Sequence, residues 1–421
     1  MNALKPPRLA AHGVCRAYLC ALGVLGVIVH SLKALYERSG FVLWFLTIVT
    51  AVCLAALKPL SHSVLPAYEF GTAMFHAGRP LYDLNSAMGY LYTPAFAALY
   101  SPFAWLGSEL GGILWRLLGV GLLTFAIVKQ ARVFDKVRAE HIASLAFFLA
   151  IPLSLGAIRN GQATVLLTAA CWLLTLSAMD NRRAETMFWA SVALIAKPTA
   201  IVMVLLVGAI RLRLIPFLLL AIGLVFAIPY AFAPADYVSA QHAEFFRLLT
   251  SMGANRSGAF EAADFTGLFA ALDVSVPASV TIVLRLAVAA AVLLASLWLD
   301  RKNDRQLSAF AIFLLAAYYM TVFNPRVESN TYVMLVAPAA LAISLMRTRD
   351  EGWNLPLILG AVVFICGWTG IDRSLHAALN PWFKPLAMTL VLVPVLHWLY
   401  RQVTTGADQR LSVAASRAST G

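Results

Sequence analysis

Apolar residues occur along this chain in continuous blocks, not in alternation. The blocks fall near 17–35, 41–57, 91–106, 111–128, 142–158, 163–178, 187–210, 215–234, 277–298, 307–323, 331–346, 355–369 and 383–400. A block of about 18 or more residues reads as a membrane-crossing helix, and a shorter one as a partial, interfacial or buried helix. The pattern predicts an all-α, polytopic helical membrane protein with about ten to twelve membrane segments. A membrane β-barrel is excluded, because its strands would alternate apolar and polar residues.

Composition narrows the class further. Of 421 residues, 61% are hydrophobic and 12% charged, against roughly 25% charged in soluble domains. A soluble enzyme, a disordered protein and a secreted disulfide scaffold are ruled out. The formal charge of +12 reads as the Lys/Arg bias of cytoplasmic loops. No basic stripe, zinc spacing or aromatic platform points to nucleic acid. Cys15, Cys20, Cys53, Cys171 and Cys366 lie in or beside apolar runs without paired spacing, so they read as packing residues. Lys5, Arg8 and Arg16 precede or open the first apolar run without a convincing cleavage site, which favours a retained anchor or interfacial helix.

Basic clusters set the expected orientation. Lys129, Arg132, Lys136 and Arg138 follow one segment, Arg182 and Arg183 another. Arg211 with Arg213, then Arg301, Lys302 and Arg305, then Arg347 and Arg349 follow later ones. These connections are expected in the cytoplasm. The connection 235–276 carries Asp236, Glu244, Glu261, Asp264 and Asp273 and is expected outside. Alternation works if 187–210 breaks at Lys197-Pro198 and 91–106 is a partial helix. Six connections then share the outer face: 58–94, 159–162, the 197–198 break, 235–276, 324–330 and 370–382. Residues 1–400 read as one membrane domain with outer loops at about 58–94 and 235–276. The Ser/Thr/Ala-rich 401–421 stretch, with Arg410 and Arg417, reads as a disordered cytoplasmic tail.

Four stretches on that outer face hold unusual polar residues. Tyr68 to Pro94 is amphipathic and too polar to span, and an interfacial helix pair fits it. Its Tyr68, Tyr82, Tyr90 and Tyr92 form either an aromatic belt or a platform for a sugar or lipid headgroup, with Glu69 and Asp83 as carboxylates. Arg159-Asn160-Gly161-Gln162 is either a simple polar turn or a hydrogen-bonding cluster bent at glycine. Lys197 lies inside apolar sequence; it either snorkels or meets a phosphate. Asn324-Pro325-Arg326-Val327-Glu328-Ser329-Asn330-Thr331-Tyr332 is either a loop capped by an Arg326–Glu328 ion pair or a phosphate site with Glu328 as an orienting or basic group. Arg285 is a further cation inside an apolar run, available to an outer carboxylate; His62 and His76 flank the first outer loop. There is no GxxxxGK[ST] loop, dinucleotide fingerprint, HExxH, GxSxG or Asp-x-Asp pair.

Taken in order, these stretches resemble the polyprenyl-phosphate-dependent membrane glycosyltransferases of glycosyltransferase family 87, a branch of the GT-C fold. The resemblance runs from about 40 to 345. It rests on Tyr68 with Gly78 and Tyr82, LYTPAFAALYSPFAWLG (91–107), NGQATVLL (160–167), AKPTAIVMVLL (196–206) and FNPRVESNTYVML (323–335). It implies an extracytoplasmic active site, a lipid-linked mannosyl or pentosyl donor, and a glycan or glycolipid acceptor in the bacterial-type inner membrane. The family's usual acidic residue of the first outer loop falls at about Val64 here, and no Asp or Glu occurs between Lys58 and Tyr68.

The chemistry needs a carboxylate base for the acceptor hydroxyl and cations for the leaving lipid phosphate. Glu328, Glu69 and Asp83 are the candidate bases, and Lys197 and Arg326 the phosphate cations. Asn160, Gln162, Tyr68, Tyr82, Tyr92, Asn324, Asn330 and Tyr332 are candidate substrate contacts. No cofactor and no obligatory metal is expected. The rival readings are a lipid or sugar transporter, which shares the broken helix and buried cation, and a non-catalytic partner in envelope glycan assembly. An enzyme requires 68–94 and 324–332 to converge on one outer cavity; a transporter requires polar residues along a path through the bilayer.

Overall fold

The computed structural model describes residues 38–83, 89–252, 263–302, 304–325, 327–349, 352, 354–368, 376 and 378–418. Among the described residues it is helical, with no strand. The apolar block at 17–35, Glu261 and Arg326 lie outside the described residues.

The first helices are α1 (Arg38–Leu57), α2 (Leu65–His76), α3 (Pro94–Leu99), α4 (Ser101–Trp105) and α5 (Gly112–Phe134), the last entered through a π-turn at Gly107–Gly111. They are followed by α6 (Ala139–Asn160), α7 (Ala163–Met179), α8 (Arg183–Ala196), α9 (Ile201–Ile210) and α10 (Ile215–Ala227). Next come α11 (Ala235–Met252), α12 (Phe265–Ala270), α13 (Ala278–Asp300), α14 (Arg305–Val322), α15 (Val333–Arg349), α16 (Asn354–Cys366) and α17 (Phe383–Ala418).

Eight helical stretches among the described residues are long and apolar enough to cross a membrane, and three shorter apolar helices, Ala163–Met179, Pro198–Ile210 and Asn354–Cys366, accompany them. The short ones need not match the bilayer where neighbours enclose them. All 17 residues of α7 are buried; at about 1.5 Å per residue it is near 25 Å long, under the ~30 Å hydrocarbon thickness. It packs against α5, α8, α14 and α15 and forms the centre of the bundle. The peripheral helices turn apolar side chains outward, including Phe45 of α1, Ile282, Val283 and Leu286 of α13, and Leu390 and Val393 of α17. In lipid that is the low-energy arrangement.

Side-chain bonds fasten the two ends of the bundle separately. At the basic end Arg38 pairs with Glu140 at 3.5 Å and Arg211 with Asp300 at 2.6 Å. Arg138 donates to the Thr348 carbonyl at 2.8 Å. The opposite end gathers the turn after α6, the α8–α9 break, the α2–α4 segment and the connections around α12 and ahead of α15.

Two expected breaks are present. Lys197 is extended (φ −161°, ψ 132°) between α8 and a 3-10 turn at Pro198–Ala200, because the residue before proline is driven out of the helical region. The 91–106 block forms the short α3 and α4, each opened by a proline in its first turn. The last helix continues through Ala418, past the 400/401 boundary drawn from the sequence. Its Ala, Gln, Arg and Leu residues there are good helix formers.

Candidate active site

The site is built on the tight α6–α7 turn. Gly161 closes α6 in the left-handed conformation (φ +72°), where a side chain would be strained. Gln162 is then extended (φ −61°, ψ 125°) and its amide donates to Glu328 Oε2 at 2.8 Å. One residue on, the Ala163 N–H donates to the Tyr68 hydroxyl at 3.0 Å, and that hydroxyl is 3.0 Å from the Tyr92 hydroxyl. One position further, Thr164 Oγ1 accepts from Lys197 Nζ at 3.3 Å. Three consecutive residues thus connect α2, the α8–α9 break and the connection ahead of α15.

The turn itself is anchored by Arg116 of α5, which is buried. Its guanidinium donates to the Arg159 carbonyl at 2.9 and 3.0 Å, to the Gly112 carbonyl at 2.9 Å and to Ser63 Oγ at 3.2 Å. The Trp115 indole donates to the Gly161 carbonyl at 2.9 Å. Among the described residues this buried cation has no carboxylate partner, and it is tolerated because carbonyl dipoles meet its donors.

The Val64 N–H donates to the Asn160 carbonyl at 3.0 Å. The position at which the resemblance would place an acidic residue therefore abuts the α6–α7 turn. Val64 supplies no charge there, and Glu328 is the carboxylate bonded to that turn.

The first loop is an aromatic cluster more than a lipid-facing belt. Tyr68, Tyr82 and Tyr90 are buried and Tyr92 half-buried. Tyr68 meets Tyr92, Phe96 and Trp115 edge-on at 5.0, 4.9 and 6.0 Å between centroids. Thr93 caps α3 by accepting from the Phe96 N–H at 3.3 Å. Gly71 admits the Tyr90 ring, since a Cβ there would lie 2.3 Å from it. Burial, aided by Tyr92 and Glu328, holds the Tyr68 phenol well above its ordinary pKa, so it remains a neutral hydroxyl. The Tyr82 phenol is raised by burial likewise and donates to the Tyr92 carbonyl at 2.8 Å.

Glu328, Gln162, Lys197, Tyr68 and Tyr92 are therefore brought together, and Glu328 is exposed. Glu69 has a different partner, accepting from Ser108 Oγ at 2.8 Å. Asp83 is exposed beside Tyr82. Among the described residues, Asn160 Oδ1 is buried without a hydrogen-bond partner. Asn330 faces α6, its Oδ1 lying 3.2 Å from where a Gly156 Cβ would be. Asn324 is half-buried. Buried Tyr332 donates to the Ala263 carbonyl at 2.7 Å, and the Ala263 N–H donates to the Val327 carbonyl at 2.9 Å. Arg285, within the apolar α13, finds the carboxylate of Asp264, just ahead of α12, at 2.8 Å.

Lys384 and Thr164 are contributors that the sequence reading passed over. Lys384, buried in the first turn of α17, donates to the carbonyl and hydroxyl of Ser329, next to Glu328. Its position at the start of an apolar block resembles an interfacial lysine, and that masks its tertiary role.

No curated protein matches this chain. A family model for glycosyltransferase family 87 matches residues 90–325. The match contains the α3–α4 helices, the α6–α7 turn and the Lys197 break; Tyr68 and Glu328 lie on either side of it. It spans more than half of the chain, and this multi-pass membrane protein belongs to glycosyltransferase family 87.

Proposed function

We propose that the protein moves a monosaccharide of the mannose or pentose class from a polyprenyl-phosphate donor to an envelope glycan or glycolipid. The reaction takes place on the extracytoplasmic side of a bacterial-type inner membrane. The observation that carries this reading is the Gln162–Glu328 bond beside the Lys197–Thr164 contact. It sets an exposed carboxylate and a membrane-level cation at the end of the bundle away from the arginine-rich connections. By the positive-inside rule that end faces away from the cytoplasm.

In this reading Glu328 takes the acceptor hydroxyl proton as the oxygen attacks the anomeric carbon. The bond between that carbon and the phosphate oxygen breaks, and the lipid phosphate leaves with its electron pair. Lys197 and Arg326 receive the developing charge. Gln162 occupies Glu328 Oε2, leaving Oε1 to accept the proton in a fixed direction. Asn160 and Tyr92 are assigned to sugar hydroxyls. Gathering of the first-loop tyrosines and the Glu328 connection at one turn favours an enzyme over a transporter.

The test is transfer in proteoliposomes. Radiolabelled polyprenyl-phosphate sugars serve as donors and an envelope-lipid extract as acceptor. Label moving to a lipid or glycan product supports the reading. Label that crosses the bilayer still attached to its donor would establish the transporter instead.

A further inference from the structure

The basic end of the bundle holds a feature that the transfer chemistry does not use. An open cleft of about 580 Å³ lies between the α5–α6 connection and the end of α15, lined by Lys136, Arg138, His141, Arg347 and Thr348 with Glu140. Its two walls are tied by the bond from Arg138 to the Thr348 carbonyl at 2.8 Å, so the cleft is already formed. Among the described residues the nearby carboxylates are engaged elsewhere. Asp135 Oδ1 accepts the Val137 and Arg138 N–H groups at 2.9 and 3.0 Å, and Glu140 pairs with Arg38. Among the described residues neither Lys136 nor Arg138 forms an ion pair with a carboxylate. The cleft therefore presents a surplus of positive charge in a fixed shape.

Its surroundings identify the kind of anion. Val137, at the rim, is 94% exposed and adds an apolar contact beside the cations. At Glu140 the cleft adjoins a groove of about 370 Å³ lined by Phe41, Val42 and Val128 together with Arg38 and Arg132. These apolar residues belong to α1 and α5, both long and apolar enough to cross a membrane. A charged cleft opening onto an apolar, membrane-level groove matches a molecule with a phosphate head and an acyl chain. Basic pockets between membrane helices at the positive end bind such headgroups.

We propose that this cleft binds the phosphate headgroup of an anionic phospholipid, with one acyl chain along Phe41, Val42 and Val128. The lipid bridges the α5–α6 connection to α15 and so braces the bundle at the end remote from the active site. The proposal stands on the fold alone and does not depend on the donor or acceptor.

The test uses the full chain, purified in detergent and titrated with phosphatidylglycerol, phosphatidylcholine or inorganic phosphate, with adducts read by native mass spectrometry. Wild type is expected to retain phosphatidylglycerol over phosphatidylcholine. Lys136→Ala/Arg347→Ala is expected to weaken that retention about thirtyfold, about fivefold for each cation at a headgroup surface. Lys136→Glu, on an exposed side chain, gives the same direction without disturbing the packing of α15. Arg301→Ala removes a cation at the same end outside the cleft and is expected to leave retention unchanged. Equal loss in Arg301→Ala would reduce the effect to net charge and overturn the proposal. Retention unaffected by the cleft variants would overturn it, as would binding of inorganic phosphate with no lipid preference.

Discussion

The Gln162 side-chain amide holds the Glu328 carboxylate at 2.8 Å across 166 positions of sequence. Gln162 is fixed by the Gly161 turn, and Glu328 by the neighbouring Ser329, which Lys384 grips. If this bond aims the base, the two residues act as one unit. Gln162→Ala is expected to lower kcat by about ten- to a hundredfold, within the range assigned to a misplaced catalytic group. Combining it with Glu328→Gln is expected to add little to the loss from Glu328→Gln alone. Steady-state kinetics on the four-member cycle decide this; additive losses would show independent roles.

Lys197 separates function from stability. A lysine at membrane depth costs about 3 kcal/mol on insertion scales, so Lys197→Met is expected to keep or raise the unfolding midpoint in detergent. Transfer should nevertheless fall by about a hundred- to a thousandfold, the magnitude typical of removing a preorganised charge stabiliser. A variant that is stable and fully active would remove Lys197 from the site.

Arg116 behaves oppositely. Arg116→Ala strips donors from the Arg159 and Gly112 carbonyls and from Ser63, and each buried polar group left unsatisfied costs about 1–3 kcal/mol. The unfolding midpoint and the activity are expected to fall together, because the turn that carries Gln162 loses its anchor. Loss of activity at unchanged stability, measured by denaturant titration, would instead make Arg116 a substrate contact.

The outlines of this site were legible wherever a polar residue interrupted an apolar block. The Gly161 turn, the Lys197-Pro198 break and the Glu328 connection each stood out by contrast. What the sequence concealed are pairings made in three dimensions. Thr164 sits within an apolar run and reads as one more helix residue until Lys197 arrives beside it. Lys384 reads as an interfacial lysine until the Ser329 connection folds over it. The different settings of Glu69 and Glu328 are also tertiary: Glu69 and Tyr68, adjacent on α2, meet Ser108 and Ala163 respectively. The helix count was readable only in part: α7 and α16 are apolar but short, and the complete burial of α7 among its neighbours depends on packing that hydropathy does not encode.

A lipid monophosphate leaving group carries less charge than a nucleotide diphosphate, and Lys197 with Arg326 is proposed to receive it. Transfer is therefore expected to be unchanged by a chelator. Activity that disappears on chelation and returns with a divalent ion would assign that charge to a metal instead.

Glu328 is proposed as the base in a chain whose first loop has Val64 where the resemblance places an acid. The most direct measurement is the transfer rate of Glu328→Gln beside Glu69→Gln and Asp83→Asn in the same proteoliposomes. Loss of general-base catalysis is expected to lower the Glu328→Gln rate by about 10²–10⁴-fold, with the other two variants near wild type. Full activity in Glu328→Gln, or its loss in Glu69→Gln alone, would contradict the assignment.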